Sequence, residues 1–133
     1  MKLYMLVAIF GAIGSVCRFS LVQITPKIFF LNFPLGTIAV NLIGSFLIGC
    51  VVSIFEKNII SEDTRNFIVF GFLGGFTTYS AFTFELFNLI KNSDFTNASI
   101  YICLTLFLGL ALFYLGYKLF KHTWWKKHSN ILL

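Results

Sequence analysis

Charge is scarce in this 133-residue chain: only 11% of its residues are Asp, Glu, Lys or Arg, whereas a water-soluble domain carries about 25%. Cysteine is scarce too, and Cys17, Cys50 and Cys103 lie far apart inside apolar runs, which excludes the close spacing of a metal or disulfide motif. Hydrophobic residues, by contrast, make up 58% of the chain. So few charges cannot cover the surface of so small a globule. A soluble enzyme and a disordered chain are therefore both excluded, and the chain must be solvated by lipid.

Four long apolar segments account for most of the chain. A bilayer core about 30 Å thick needs roughly 20 helical residues per crossing, and the segments have that length. They lack the apolar/polar alternation of membrane strands, which favours helices over a β-barrel. We therefore predict an all-α membrane protein with one four-helix domain over residues 1–133. The predicted spans cover about residues 3–23, 34–55, 67–90 and 98–120, with a break at Thr25-Pro26-Lys27 and a helix start at Pro34.

Small and hydroxyl-bearing residues are concentrated in the middle of the third span, in the sequence GFLGGFTTYS (71–80). Glycine lowers helix stability by about 1 kcal/mol relative to alanine, and threonine and serine hydroxyls compete for backbone partners. Gly71 and Gly75, four residues apart, also fit close helix packing through small residues. The denser stretch from Gly74 to Ser80 favours a helix broken in mid-membrane, because such a break is tolerated beside a polar cavity or inside protein.

Several other polar residues lie within the spans. Arg18 either reaches an interface or a carbonyl, or lies at the mouth of a pathway. Asn41 follows Thr37 by four residues, so both project from one helix face, where they either bond neighbouring helices or line a pathway. Glu85 is either a helix-end carboxylate that reaches water or an acid that faces a vestibule. Because most of these polar groups donate hydrogen bonds, they suit an anion better than a cation.

Three longer motifs occur in the first three spans. They read GAIGSVCRF (11–19), PLGTIAVNLIGSF (34–46) and GFLGGFTTYSAF (71–82), the last followed by Glu85. In this order, and at this chain length, they resemble the motifs of the CrcB/Fluc fluoride channel family. The resemblance covers three of the four spans, and the motifs are jointly specific to that family.

The resemblance implies a passive, fluoride-selective channel that exports fluoride from the cytoplasm across the cell membrane. It implies an antiparallel, dual-topology dimer with a structural sodium ion at its centre, held by backbone carbonyls that map to Gly74 and Thr77. The family's pore asparagine maps to Asn41, and two aromatic positions that contact the anion map to Tyr79 and Phe82. We therefore expect fluoride, sodium and membrane lipid as partners, with no nucleic acid and no enzymatic activity.

The predicted fluoride pathway also includes polar residues that share the same spans. In the fourth span, which has few polar groups, Thr105 is the best candidate to face the pore. Two positions depart from the family pattern, since Tyr79 replaces a usual phenylalanine and Ala81 a frequent threonine. Tyr79 keeps an electropositive ring edge and adds a hydroxyl donor, so contact with fluoride is expected to persist. The added pathway residues are Thr37, Ser80, Arg18, Glu85 and Thr105.

The distribution of basic residues leaves the nature of the dimer open. With four spans, Lys2, Lys57, Arg65 and the C-terminal lysines share one side of the membrane, and Lys27 and Lys91 lie on the other. This asymmetry predicts that both termini lie in the cytoplasm. An antiparallel homodimer requires the same chain to insert both ways. The alternative is a heterodimer with an inverted, related subunit.

The main alternative function is a small proton-coupled exporter of drugs or cations, which also uses four short helices in antiparallel dimers. Proton-coupled export requires a carboxylate within the membrane. The first span carries Arg18 and no acidic residue, and Glu85 lies away from the expected position. A structural subunit without transport would explain the helix packing. It would not explain Asn41, Thr37 and a broken third helix together.

Overall fold

The computed structural model describes residues 1–29 and 33–129, with side chains described for residues 1–25 and 33–121. Over the described residues, four helical segments are long and apolar enough to cross a membrane. This confirms the prediction of an all-α protein with four spanning helices. Lys27 and the lysines beyond residue 121 lie outside the described side chains. The segments are Lys2–Thr25, Leu35–Glu56, Glu62–Lys91 and Phe95–Lys121.

The first helix, α1 (Lys2–Phe29), is longer than predicted, because it continues through the segment Thr25-Pro26-Lys27 that the sequence marks as a break. Inside this helix the Thr25 hydroxyl donates to the Leu21 carbonyl at 2.7 Å. Pro26 lies in the last turn, where its missing N–H removes a single backbone hydrogen bond. The helix therefore extends past the proline instead of ending before it.

The second helix, α2 (Leu35–Glu56), begins directly after Pro34, in agreement with the role that the sequence gives this proline. It packs between α1 and the last helix of the chain, and it is the most buried of the four spans. Glycines bring α2 and the last helix together. A side chain at Gly49 would collide with the Phe113 carbonyl, and one at Gly116 with the Phe46 carbonyl.

The third span changes its backbone conformation along its length. It begins as α3 (Glu62–Asn66) and continues as a π-helical segment (Phe67–Leu73). The single turn α4 (Gly74–Phe76) completes the helical part that precedes Thr77. Thr77 and Thr78 then have extended backbone, with φ/ψ of −85°/160° and −151°/119°. A helix resumes as α5 (Tyr79–Lys91), with the Thr78 hydroxyl accepting a hydrogen bond from the Ala81 N–H.

The fourth span is α6 (Phe95–Cys103), a second π-helical segment (Leu104–Leu108) and α7 (Gly109–Ser129). Its outer surface is apolar: Phe107 and Leu110, like Phe70 of the third span, are about 70% exposed. The interior core is small by comparison and is formed around Ile38, Phe82 and Tyr101. An apolar exterior around a small, partly polar interior is the arrangement expected of a protein solvated by lipid.

Candidate ion pathway and cation site

Asn41 of α2 holds the extended segment in place. Its side-chain oxygen accepts a hydrogen bond from the Thr78 N–H at 2.8 Å, and its amide nitrogen donates to the Thr78 carbonyl at 3.0 Å. In a continuous helix the Thr78 N–H would donate to the Gly74 carbonyl. The asparagine therefore replaces a helical partner of Thr78. Gly44, one turn further along α2, allows this approach, because a side chain there would collide with the Thr77 methyl group.

The carbonyls at the end of α4 fall into two groups. Two of them have partners. The Leu73 carbonyl accepts from both the N–H and the hydroxyl of Thr77, each at 2.9 Å. The Gly75 carbonyl accepts from Arg18 Nε at 3.1 Å and from the Ser15 hydroxyl at 3.5 Å. Arg18 is thus directed at a main-chain carbonyl, which is one of the two alternatives that the sequence leaves open.

The second group has no hydrogen-bond donor among the described residues and consists of the Gly74, Phe76 and Thr77 carbonyls. The Ala81 N–H, which would donate to Thr77 in a helix, donates to the Thr78 hydroxyl instead at 3.2 Å. Unpaired carbonyls at a helix end carry partial negative charge and are ligands for an alkali cation at broken membrane helices. The Gly74 and Thr77 carbonyl oxygens are therefore suitable ligands for a sodium ion.

Side chains offer no competing metal site in the described part of the chain. No group of three or more His, Cys, Asp or Glu residues is close enough there to hold a metal ion. Gly74 itself is exposed on the surface of the single chain. One of the two candidate ligand residues is therefore open to the surface of the single chain, whereas Thr77 is partly buried.

A cavity of about 240 Å³ lies beside the extended segment. It brings together residues that the sequence places in three different spans. The Thr105 hydroxyl is buried and has no hydrogen-bond partner among the described residues, so it is one donor that the cavity offers. Tyr79, a residue that is 78% exposed, forms part of the cavity rim. The lining residues are Asn41, Ser45, Ile48, Thr77, Thr78, Tyr79, Phe82, Thr105 and Leu106.

Glu85 is held by two hydroxyl groups from neighbouring helices. Thr37 donates to its Oε1 at 2.8 Å, and Tyr101 donates to its Oε2 at 2.6 Å. Both donors are almost completely buried, at 1% and 0% exposure. Thr37 and Asn41 thus share one face of α2, as their spacing predicts, but they serve different partners: Asn41 holds the extended segment and Thr37 holds the carboxylate.

A second cavity, of about 270 Å³, begins at Glu85. Side-chain contacts run from one cavity to the other: Phe82 lines the first cavity, and its ring centroid lies 5.0 Å from that of Tyr101, whose hydroxyl donates to Glu85 of the second. The polar groups therefore follow one track along α5 from the extended segment to the end of the helix. The second cavity is lined by Phe33, Pro34, Glu85, Asn88, Leu89 and Asn92.

Three residues of the predicted pathway line neither cavity. Thr37 is buried and reaches the second cavity only through its hydrogen bond to Glu85. Arg18 lies on the α1 side of the extended segment, at the Gly75 carbonyl. The Ser80 side chain is exposed, and its hydroxyl is 3.4 Å from that of Thr78. Tyr101 and Ser45 line the track but are missing from the sequence prediction. The sequence could have indicated both residues, because each lies four residues from a predicted pathway residue and hence on the same helix face.

Comparison with known sequences decides the family. A family profile described as "CrcB-like protein, Camphor Resistance (CrcB)" matches residues 5–117, which contain every residue that lines the two cavities. The chain belongs to the CrcB family. With four helices of membrane-spanning length, this CrcB-family chain is a multi-pass membrane protein.

Relatives of this CrcB-family chain carry a common name. It is 40% identical to the "Fluoride-specific ion channel FluC" of a Thermus thermophilus strain, over 90% of this chain and 95% of the relative. It is 40% identical to the protein of that name from Campylobacter fetus subsp. fetus, over 84% and 88% of the two chains. The Geobacter sp. strain M21 protein is 42% identical over 74% and 86%. The chain thus matches these channels over nearly their whole length.

Proposed function

We propose that this chain is a fluoride-selective passive channel of the cell membrane that exports fluoride from the cytoplasm. The observation that carries the proposal is the cavity beside the extended segment, where hydrogen-bond donors and aromatic rings meet inside an apolar protein. The name shared by the relatives supports the choice of fluoride as the conducted ion. Conduction requires neither a nucleophile nor a cofactor, and the proposal includes no catalytic step.

The lining of the first cavity explains how an anion is accommodated. Fluoride is small and strongly hydrated, so the pathway must replace its water shell with donors at short distance. The Thr105 hydroxyl and the amide group of Asn41 supply donors. The ring edges of Tyr79 and Phe82 add positive partial charge, because the aromatic quadrupole is positive at the edge. A cation is attracted to the face of an aromatic ring and repelled by its edge, so ring edges favour an anion over a cation.

The second stage of the proposed pathway is the carboxylate and its two hydroxyl donors. Thr37 and Tyr101 already hold an anionic group, Glu85, at hydrogen-bond distance. A fluoride ion that leaves the first cavity takes over these hydroxyls while the carboxylate turns towards the second cavity. The asparagines Asn88 and Asn92 at that cavity then offer donors on the way to water.

We propose that a sodium ion binds the Gly74 and Thr77 carbonyls and has a structural role. Three facts support this placement: both carbonyls lack donors among the described residues, both belong to the interrupted stretch, and Gly74 faces outward. When bound, the ion supplies positive charge that the helix end lacks. The same two carbonyls of a second, antiparallel subunit would complete its coordination. Arg18 and Ser15 keep the neighbouring Gly75 carbonyl occupied and out of this set.

The proposed dimer is antiparallel, and either a second copy or an inverted related subunit can form it. Tags on the two termini of the protein expressed alone distinguish these cases through their accessibility from each side of the membrane. Labelling of both termini from both sides supports the homodimer of dual topology. Labelling from one side only excludes it and leaves the heterodimer.

The proton-coupled exporter is not favoured. Glu85, the acidic residue on the polar track, lies in the third span and is engaged by two hydroxyls, whereas the exporter needs a carboxylate that exchanges a proton for its cargo.

Purified protein in liposomes loaded with fluoride or chloride tests the proposed function. We expect fast fluoride efflux, recorded with a fluoride electrode, and no chloride efflux above that of empty liposomes. A fluoride efflux that depends on an imposed proton gradient supports the exporter instead. The absence of fluoride efflux from a correctly inserted protein refutes the channel.

A further inference from the structure

Thr105 in the fourth span differs from other serines and threonines of the spans in how its hydroxyl is bonded. Five other hydroxyl groups donate to the carbonyl four residues earlier, at 2.7–3.0 Å, which is a common arrangement in helices. The corresponding partner of Thr105 is the Tyr101 carbonyl, but the Thr105 hydroxyl is buried and has no hydrogen-bond partner among the described residues. The five residues with the common arrangement are Ser20, Thr25, Ser45, Thr77 and Thr83.

The backbone around Thr105 accounts for this difference, because Thr105 lies in the π-helical segment Leu104–Leu108. A π-turn joins an N–H to the carbonyl five residues earlier, whereas an α-turn joins it to the carbonyl four residues earlier. A π-turn therefore holds one additional residue and rotates the side chains within it about the helix axis. The Thr105 side chain is thus carried sideways from the Tyr101 carbonyl, which accepts a hydrogen bond from the Leu104 N–H.

The rotated side chain lies at the first cavity, beside the extended segment of the third span. Thr105 lines this cavity together with Asn41 and Phe82. Phe107, two residues further along the π-helical segment, has the opposite environment and is 71% exposed on the apolar exterior. The segment therefore divides its residues between the cavity and the lipid. It brings to the cavity wall a hydroxyl group that no acceptor among the described residues engages.

We propose that this π-turn is a positioning element of the fluoride pathway: its additional residue turns Thr105 away from the Tyr101 carbonyl, and the free hydroxyl donates to an anion in the first cavity. A hydroxyl that is bonded to its own helix has to break that hydrogen bond before it donates to fluoride. The Thr105 hydroxyl donates without this loss. The proposal rests on the proposed channel function, but the effect of the π-turn on the hydroxyl also changes stability, which does not require conduction.

Deletion of Phe107 tests the role of the additional residue. Without it the π-turn closes as an α-turn, and the helical parts before and after the turn keep their orientation. We expect the Thr105 hydroxyl to bond the Tyr101 carbonyl in this variant, and fluoride efflux from liposomes to slow by about tenfold or more. Phe107→Ile keeps the number of residues and is expected to conduct normally. Efflux through the inserted deletion variant within about threefold of the unmodified protein overturns the proposal.

Replacement of Thr105 in both backgrounds separates the hydroxyl from any general effect of the deletion. Thr105→Val keeps the shape of the side chain, and we expect it to slow efflux through the unmodified chain by about fivefold or more. In the Phe107 deletion variant the hydroxyl is already withdrawn, so the same replacement is expected to change efflux by less than about twofold. Ser53→Ala removes another buried hydroxyl without a partner among the described residues, outside both cavities, and is expected to conduct normally. Equal slowing by Thr105→Val in the two backgrounds refutes the positioning role.

Thermal unfolding in detergent gives a readout that does not depend on the conducted ion. In the unmodified chain Thr105→Val removes a buried hydroxyl without a partner, so we expect the melting temperature to stay the same or to rise. In the Phe107 deletion variant it removes a hydrogen bond to Tyr101, so we expect the melting temperature to fall by about 3 °C. If the unmodified protein conducts no fluoride, this difference still supports the π-turn as the cause, and the channel function alone is refuted. The same response in both backgrounds refutes the role of the π-turn.

Discussion

Replacement of Asn41 by aspartate is the most direct test of the proposed pathway. The carboxylate keeps the acceptor for the Thr78 N–H at 2.8 Å, but it places a second oxygen where the amide nitrogen now donates to the Thr78 carbonyl at 3.0 Å. One hydrogen bond is lost and a buried carbonyl is left unpaired, which costs about 1–3 kcal/mol of stability. The extended segment is therefore weakened without losing its anchor completely.

The effect of the Asn41→Asp charge on conduction is larger. Asn41 lines a cavity of about 240 Å³, so a fluoride ion in it comes to roughly 4 Å from the new carboxylate. At an effective dielectric constant of about 20, two like unit charges at about 4 Å repel by about 4 kcal/mol. Since each 1.36 kcal/mol corresponds to about a tenfold change in rate, we expect fluoride efflux to slow by roughly a thousandfold.

Efflux from liposomes with a fluoride electrode measures this change, and two further variants separate charge from structure. Asn41→Ala removes the anchor without adding a charge, and we expect a smaller loss than in the aspartate variant. Asn66→Asp makes the same chemical change at α3, outside both cavities, and is expected to conduct normally. Efflux through inserted Asn41→Asp protein within threefold of the unmodified channel would show that Asn41 does not line the ion path.

The remaining predictions concern three other parts of the site. Phe82→Ile removes the ring edge from the first cavity and is expected to slow fluoride efflux at least tenfold, whereas Phe107→Ile on the apolar exterior leaves it unchanged. Tyr101→Phe keeps the ring and removes the donor at 2.6 Å from the carboxylate, so we expect slower efflux and a stability loss of about 1.5–3 kcal/mol in denaturation. Arg18→Lys removes the Nε donor and is expected to reduce thermal stabilisation by sodium, measured against potassium, whereas Arg65→Lys is expected to retain it.

Each of these predictions has an outcome that contradicts it. Equal slowing by the two phenylalanine variants would mean that membrane packing, not the pathway, controls efflux. Normal efflux through Tyr101→Phe would remove the hydroxyl from the second stage. The same sodium response in Arg18→Lys and the unmodified protein would separate the Gly75 contact from the cation site.

The sequence predicts those features that depend on local pattern. Four apolar segments of membrane length predict four helices, Pro34 marks the start of α2, and four-residue spacing places Thr37 and Asn41 on one face. The predicted end of α1 is wrong for a local reason as well. A proline in the last turn of a helix costs a single hydrogen bond and does not require the helix to end before it.

Features that depend on how helices meet are not available from the sequence. Asn41 could bond any neighbouring helix, and only packing in register with the third span directs its amide at Thr78. The sequence does not predict that Tyr101 donates to Glu85, because the distance between α6 and Glu85 on α5 follows from tertiary packing. The pairing of Arg18 with the Gly75 carbonyl is a cross-helix distance of the same kind.

The anchoring of Thr78 by Asn41 has a consequence for biogenesis. A third span that leaves the insertion machinery alone has lipid on all sides and no asparagine to satisfy Thr78, so it must first be a continuous helix. The extended pair of residues forms only when this helix docks on α2, which is already in the membrane because it is synthesised earlier. Maturation of the protein therefore includes a late rearrangement within the bilayer, and in a chain without the asparagine we expect the extended pair of residues to form more slowly than in the unmodified chain.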